Sequence, residues 1–213
     1  MRLYLSSFRL GNQPRRLVDL VKGTKRAAVI VNACDLFSEH ERRARFEHEL
    51  VALQSLGLSV AELDLRKYFA NQRELGALVA TYGLVWVRGG NSFVLRRAMK
   101  ASGFDKIIRE FLKRDAIVYG GYSAGIDMLT PSLRGIELVD DPHAVPAGYD
   151  PTIVWEGLGL LSYAIAPHYK SDHPESVAID KSVQYYIDNH VLFRALRDGE
   201  AIIVNGQQEE VLS

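Results

Sequence analysis

Ser123 stands in the pentapeptide Gly121-Tyr122-Ser123-Ala124-Gly125, just after the apolar run Ala116-Ile117-Val118-Tyr119. A G-x-S-x-G pattern between a short buried strand and a helix start is that of a nucleophile elbow. Small residues on either side let the backbone turn sharply and present the hydroxyl. The chemistry such a serine can do is acyl transfer. It needs a base to take the hydroxyl proton, a group to orient that base, and N–H donors aimed at the developing oxyanion.

Six histidines are available as the base. His40 and His48 fall in a charged helical segment, with His48 opposite the Phe46-Leu50 stripe and expected in solvent. His190 lies near a helix C-terminus, where a cation is locally favourable. His143 and His173 lie in polar loops. His168 differs, because it follows the predicted strand in Leu161-Ser162-Tyr163-Ala164-Ile165-Ala166-Pro167. That position places it on the same sheet edge as Ser123, although a packed structural histidine also fits there.

For the orienting carboxylate, Asp140 and Asp141 lie between Ser123 and His168 and give the known order Ser…Asp…His. Asp141-Pro142 equally suits a turn. Glu137 is a further acidic candidate, whereas Asp127 is so close to the elbow that it is expected to point elsewhere. The amide after the nucleophile, on Ala124, is one oxyanion donor. Gly89 or Gly90, in the turn Arg88-Gly89-Gly90-Asn91-Ser92, supplies the other. That turn also reads as a plain strand-to-helix junction capped by Asn91 or Ser92. Neither phosphate-binding glycine pattern occurs, so nucleotide binding is disfavoured.

These groups need a scaffold, and the chain supplies a β-α rhythm. Strands are expected at Leu3–Leu5, Ala27–Val31, Leu58–Leu63, Leu84–Val87 and Ala116–Tyr119. Helices are expected at Pro14–Val21 and from about Glu39 to Leu56, with further helical stretches before and after the fourth strand. In the second helix Phe46, Leu50, Leu53 and Leu56 form the apolar stripe, and Glu39, Glu41, Arg42 and Arg43 are expected to face solvent. Such alternation implies right-handed crossovers, a mainly parallel sheet and ligands at the carboxyl ends of strands. The prediction is a three-layer α/β/α sandwich in one domain, residues 1–213, with the elbow after a central strand. Beyond the elbow, Pro131, Pro142, Pro146 and Pro151 break the chain into loops. A strand at Ala164–Ala166, a helix at Ser176–Asn189 and a hairpin turning at Asn205-Gly206 follow.

The bulk composition limits the partners. Lys+Arg and Asp+Glu both number 26, giving zero net charge and no support for a nucleic-acid or membrane-surface role. No apolar run is long enough for a transmembrane helix and no signal peptide is evident, so the expected location is cytoplasmic. Cys34, the one cysteine, excludes an intramolecular disulfide or a multi-thiolate metal site and reads as a buried, inert thiol. Monomer and homodimer are both compatible with this surface.

The chain resembles the serine peptidase family of dipeptidase E (aspartyl dipeptidase) and cyanophycinase. The resemblance runs through Leu3-Tyr4-Leu5-Ser6-Ser7-Phe8, Gly89-Gly90-Asn91-Ser92-Phe93 and Gly121-Tyr122-Ser123-Ala124-Gly125. It continues in Gly157-Leu158-Gly159-Leu160, Pro167-His168-Tyr169 and Asp198-Gly199-Glu200-Ala201. It implies a fold like that of class I glutamine amidotransferases (flavodoxin-like), with serine in place of their cysteine. It also implies Ser123 as nucleophile, His168 as base, an acid before His168, for which Asp141 is preferred, and Gly90 with Ala124 as the oxyanion hole. The substrate implied is a dipeptide or short peptide, with no metal or organic cofactor. An arginine downstream of the histidine, which dipeptidase E uses to hold an aspartate, has no counterpart here: His173 to Gln184 holds Lys181 but no Arg. A cyanophycinase-like isopeptide hydrolase and a non-catalytic amidotransferase-like binding protein are the alternatives. An α/β-hydrolase esterase shares the elbow and the triad order but needs more chain after the nucleophile than Ala124 to Ser213.

Overall fold

The computed structural model describes residues 1–69 and 71–213. Among the described residues nine strands form two sheets: β1 (Arg2–Ser6), β2 (Arg26–Ile30), β3 (Ser59–Glu62), β4 (Leu84–Val87), β5 (Val118–Tyr122), β6 (Ala164–Ala166), β7 (Phe193–Ala195), β8 (Ala201–Asn205) and β9 (Gln208–Leu212). The main sheet has seven strands in the order β3-β2-β4-β5-β1-β8-β9. Strands β3 to β1 in that order are parallel, and β8 and β9 return antiparallel on the edge.

Alternation along the strands builds two cores, one on each face. Leu3 and Leu5 of β1, with Val85 and Val87 of β4, face helices α3 (Arg73–Val79), α4 (Ser92–Ser102), α5 (Phe104–Lys113) and the short α6 (Ala124–Asp127). Tyr4, Leu84 and Trp86 point the other way, onto α1 (Arg15–Leu20) and α2 (Glu39–Gln54). The expected three layers are therefore present. A third, smaller core joins β6 to α7 (Ser176–Asp188) through Ala164, Ala166, Ile179, Val183 and Tyr186.

Two departures from the sequence reading concern the site. Strand β6 does not join the main sheet; it pairs with β7 in a separate parallel two-stranded sheet. Arg42 of α2 does not face solvent. It is buried, with Nε 2.6 Å from Asp35 and Nη1 2.5 Å from Glu62. A charge can be buried there because opposite charges reach it from the neighbouring strand and loop. Helix α2 starts as a capping box, with Ser38 and Glu41 each satisfying the other's backbone amide.

Candidate active site

Strand β5 ends at Tyr122, and the chain turns at once into α6, so Ser123 occupies the corner between them. Its backbone is strained, with φ 50° and ψ −126° for a residue that carries a side chain. Packing enforces the corner. A Cβ on Gly125 would sit 2.2 Å from the carbonyl oxygen of Val87, so the turn closes against β4 only with glycine there. The neighbouring β4 ends in Arg88-Gly89-Gly90. Gly89 lies against the serine, where a Cβ would come within 2.8 Å of Ser123 Cβ, and Gly90 takes a φ of 146°. The turn then enters α4, capped by the Asn91 side chain on the amide of Val94 at 2.9 Å. Among the described residues, neither the Gly90 nor the Ala124 amide donates to a protein acceptor.

His168 reaches this corner from the satellite sheet. Strands β6 and β7 run parallel, so their carboxyl ends leave side by side, and Tyr169 N donates to Leu196 O at 2.9 Å. The segment after β6 carries His168 and the segment after β7 carries Asp198. Their side chains meet, with His168 Nδ1 2.7 Å from Asp198 Oδ1. A carboxylate partner on Nδ1 assigns the proton to that nitrogen and leaves Nε2 as the acceptor. Ser7, just past β1, braces both groups: its Oγ accepts from His168 N at 2.7 Å and donates to Asp198 Oδ1 at 2.8 Å. His168 itself sits at φ 58°, a second strained residue at the site.

Ser123, His168, Gly89 and Gly90 line one cleft of about 200 Å³, together with Phe8, Cys34, Arg45, Arg88 and Glu175. Among the described residues the Ser123 hydroxyl makes no protein hydrogen bond, a common state for a catalytic contact that tightens around substrate. Burial pulls the His168 imidazole below its usual pKa, and the adjoining Asp198 carboxylate partly opposes that shift. The ring is therefore neutral near pH 7, as a base must be. Burial, and then the Asp198 charge, raise the pKa of Glu175.

The acids expected between Ser123 and His168 make other bonds. Asp141 Oδ1 accepts from His143 N at 2.8 Å in an Asx turn, the alternative reading of Asp141-Pro142. Asp140 Oδ2 accepts from Ser92 N at 2.8 Å, and burial pushes its pKa up to about 6. Glu137 accepts from Gly135 N. Neither Asp140 nor Asp141 hydrogen-bonds the imidazole; the carboxylate that does, Asp198, follows the histidine in the chain. Asp127 is buried with its pKa raised well above the ordinary carboxyl range by burial, and it bonds Ser92. Cys34 is buried as expected, and burial raises its thiol pKa.

His168, His173 and Glu175 offer three ligand atoms within 4.8 Å of one another. The two imidazoles, however, stack at 3.7 Å with planes 7° apart, so their lone pairs run side by side instead of converging. His173 Nδ1 already accepts from Glu175 N at 3.2 Å. This arrangement is a packed histidine pair, not a formed metal centre.

The model of peptidase family S51 matches residues 11–212. The chain belongs to that family. It is a serine-type peptidase. An uncharacterized peptidase of Listeria innocua is 29% identical over 162 residues, 76% of this chain and 72% of that protein. A probable alpha-aspartyl dipeptidase of Drosophila melanogaster is 30% identical over 133 residues, 60% of this chain and 52% of that protein. The crystal structure of a putative peptidase E protein from Listeria monocytogenes superposes with a TM-score of 0.80 at 25% identity, covering 100% of this chain and 98% of that one. Among the described residues no helix is long and apolar enough to cross a membrane.

Proposed function

We propose that this peptidase hydrolyses dipeptides and other short peptides through Ser123, His168 and Asp198. The observation that carries the reading is the 2.7 Å contact of His168 Nδ1 with Asp198, which leaves Nε2 as base in the cleft that Ser123 lines. Ser123 Oγ attacks the scissile carbonyl while Nε2 takes its proton. Asp198 holds the ring and stabilises the imidazolium, and the amides of Gly90 and Ala124 receive the oxyanion. The imidazolium then protonates the leaving amine. Water, activated by the same nitrogen, hydrolyses the acyl-enzyme and frees Ser123.

The test is a screen of dipeptides and short peptides with amino-acid release as the readout. Ser123→Ala is expected to lower turnover by roughly 10³- to 10⁶-fold while folding is kept. Undiminished hydrolysis by that variant would overturn the assignment.

A further inference from the structure

Asp127 has no part in the mechanism above, although it is buried one helical turn beyond Ser123, at the end of α6. Its Oδ2 accepts from Ser92 Oγ at 3.2 Å, while Oδ1 is buried with no hydrogen-bond partner among the described residues. A polar atom in that state destabilises the fold. An apolar side chain would fill the same space without that loss. Holding the core together is therefore not what this carboxyl does.

Its partner indicates what it does. Ser92 is fully buried and opens α4, two residues after Gly90. Gly90 is wedged against Ala33, whose carbonyl oxygen a Cβ would meet at 2.6 Å. The next amide, Asn91 N, donates to that oxygen at 2.9 Å, and Ser92 N donates to Asp140 at 2.8 Å. None of these bonds reaches the elbow. Among the described residues the Ser92–Asp127 bond is the one hydrogen bond that joins α4 to α6. Inside α6, Ile126 N and Asp127 N both donate to Ser123 O, at 2.8 and 3.3 Å, which holds Asp127 in place relative to the Ala124 amide. The link thus runs between the two segments that carry the unpaired amides of Gly90 and Ala124. We propose that Ser92 and Asp127 are positioning residues that fix the spacing of these two amides and so shape the oxyanion hole. This rests on the reading of Ser123 as nucleophile with Gly90 and Ala124 as donors. The spacing matters because a misplacement of about 1 Å costs on the order of 100-fold in rate.

The test is steady-state hydrolysis of the peptide that the wild type cleaves fastest in the screen above, with denaturant unfolding of every variant. Asp127→Leu removes the acceptor. It should lower kcat roughly 10- to 100-fold, with KM within about twofold and the unfolding midpoint unchanged or raised. Asp127→Asn, the conservative variant, still accepts from Ser92 Oγ and should restore kcat to within about threefold of wild type. Ser92→Ala should slow turnover as much as Asp127→Leu, and the double variant no further, because each removes the same interaction. The double variant strands no buried carboxyl, so it serves where Ser92→Ala alone fails to fold. Four results would each overturn the proposal: full kcat in Asp127→Leu, a midpoint that falls along with kcat, equal losses in Asp127→Asn and Asp127→Leu, or additive losses in the double variant. No peptide hydrolysis by the wild type, or hydrolysis undiminished in Ser123→Ala, would instead overturn the nucleophile reading, and the proposal with it.

Discussion

The corner that holds Ser123 and the shelf that holds His168 and Asp198 meet in one cleft but are built by different forces. The elbow is a steric device. It sits at the end of the fully buried β5, flanked by β4 and β1, and its shape follows from a glycine at position 125 that cannot carry a Cβ against Val87. The shelf is a polar device, with two short strands, one buried imidazole and three hydrogen bonds through Ser7 and Asp198. Changes at the elbow backbone should therefore appear first in stability. Changes on the shelf should appear first in rate.

The sharpest way to test that contrast is Asp198→Asn. The amide keeps the shape but favours the imidazole tautomer with its proton on Nε2, so kcat should fall roughly 10³- to 10⁴-fold with little change in thermal midpoint. A loss below about tenfold would remove Asp198 from the orienting role. The opposite signature is expected of Gly125→Ala. The added methyl meets a backbone carbonyl, not a flexible side-chain end, and should destabilise the fold by about 1–3 kcal/mol or more. Unfolding by denaturant measures it, and an unchanged midpoint would show the corner to be less tightly determined than its packing indicates.

Ser7→Ala tests the brace of the shelf. It strands the buried His168 N–H, a cost of about 1–3 kcal/mol, and frees one Asp198 bond. Activity should drop about tenfold through kcat, with KM nearly constant. If KM moves and kcat does not, Ser7 shapes the binding surface instead of the base.

The same contrast explains what could be read from the chain. Strands β1, β2, β4 and the elbow were legible because buried parallel strands leave apolar runs and glycine turns at fixed places. The cap by Asn91 and the buried state of Cys34 could also be read locally. His168 stands out as a candidate from its place at the end of a short strand, but that position implies the main sheet, which β6 does not join. Nothing local marks a three-residue strand such as β7, which is separated from its partner β6 by the 26 residues 167–192. Without that pairing Asp198 looks like an ordinary Asp-Gly turn before β8. The one available signal was its presence in a segment of family resemblance. Arg42 was misread for a related reason: helical periodicity cannot reveal that Asp35 and Glu62 arrive beside it from other elements.

The smallest effect separates the acids near the cleft from those in it. Asp140 has its pKa raised to about 6 by burial, while the unfolded chain titrates near the ordinary 3.8. Between those values the folded state holds more protons than the unfolded one, so this group's contribution to stability is present below pH 4 and is lost as pH rises through about 6. Asp140→Asn cannot ionise but can still accept from Ser92 N through its amide oxygen. The variant should therefore gain on the wild type as pH rises from 4 to 7, by on the order of 1 kcal/mol in denaturant midpoints followed across that range. Its peptidase rate should change far less than that of Asp198→Asn, because Asp140 bonds the α4 amide and not the imidazole. A rate loss matching that of Asp198→Asn would place Asp140 back in the catalytic machinery and erase the distinction between shelf and surroundings.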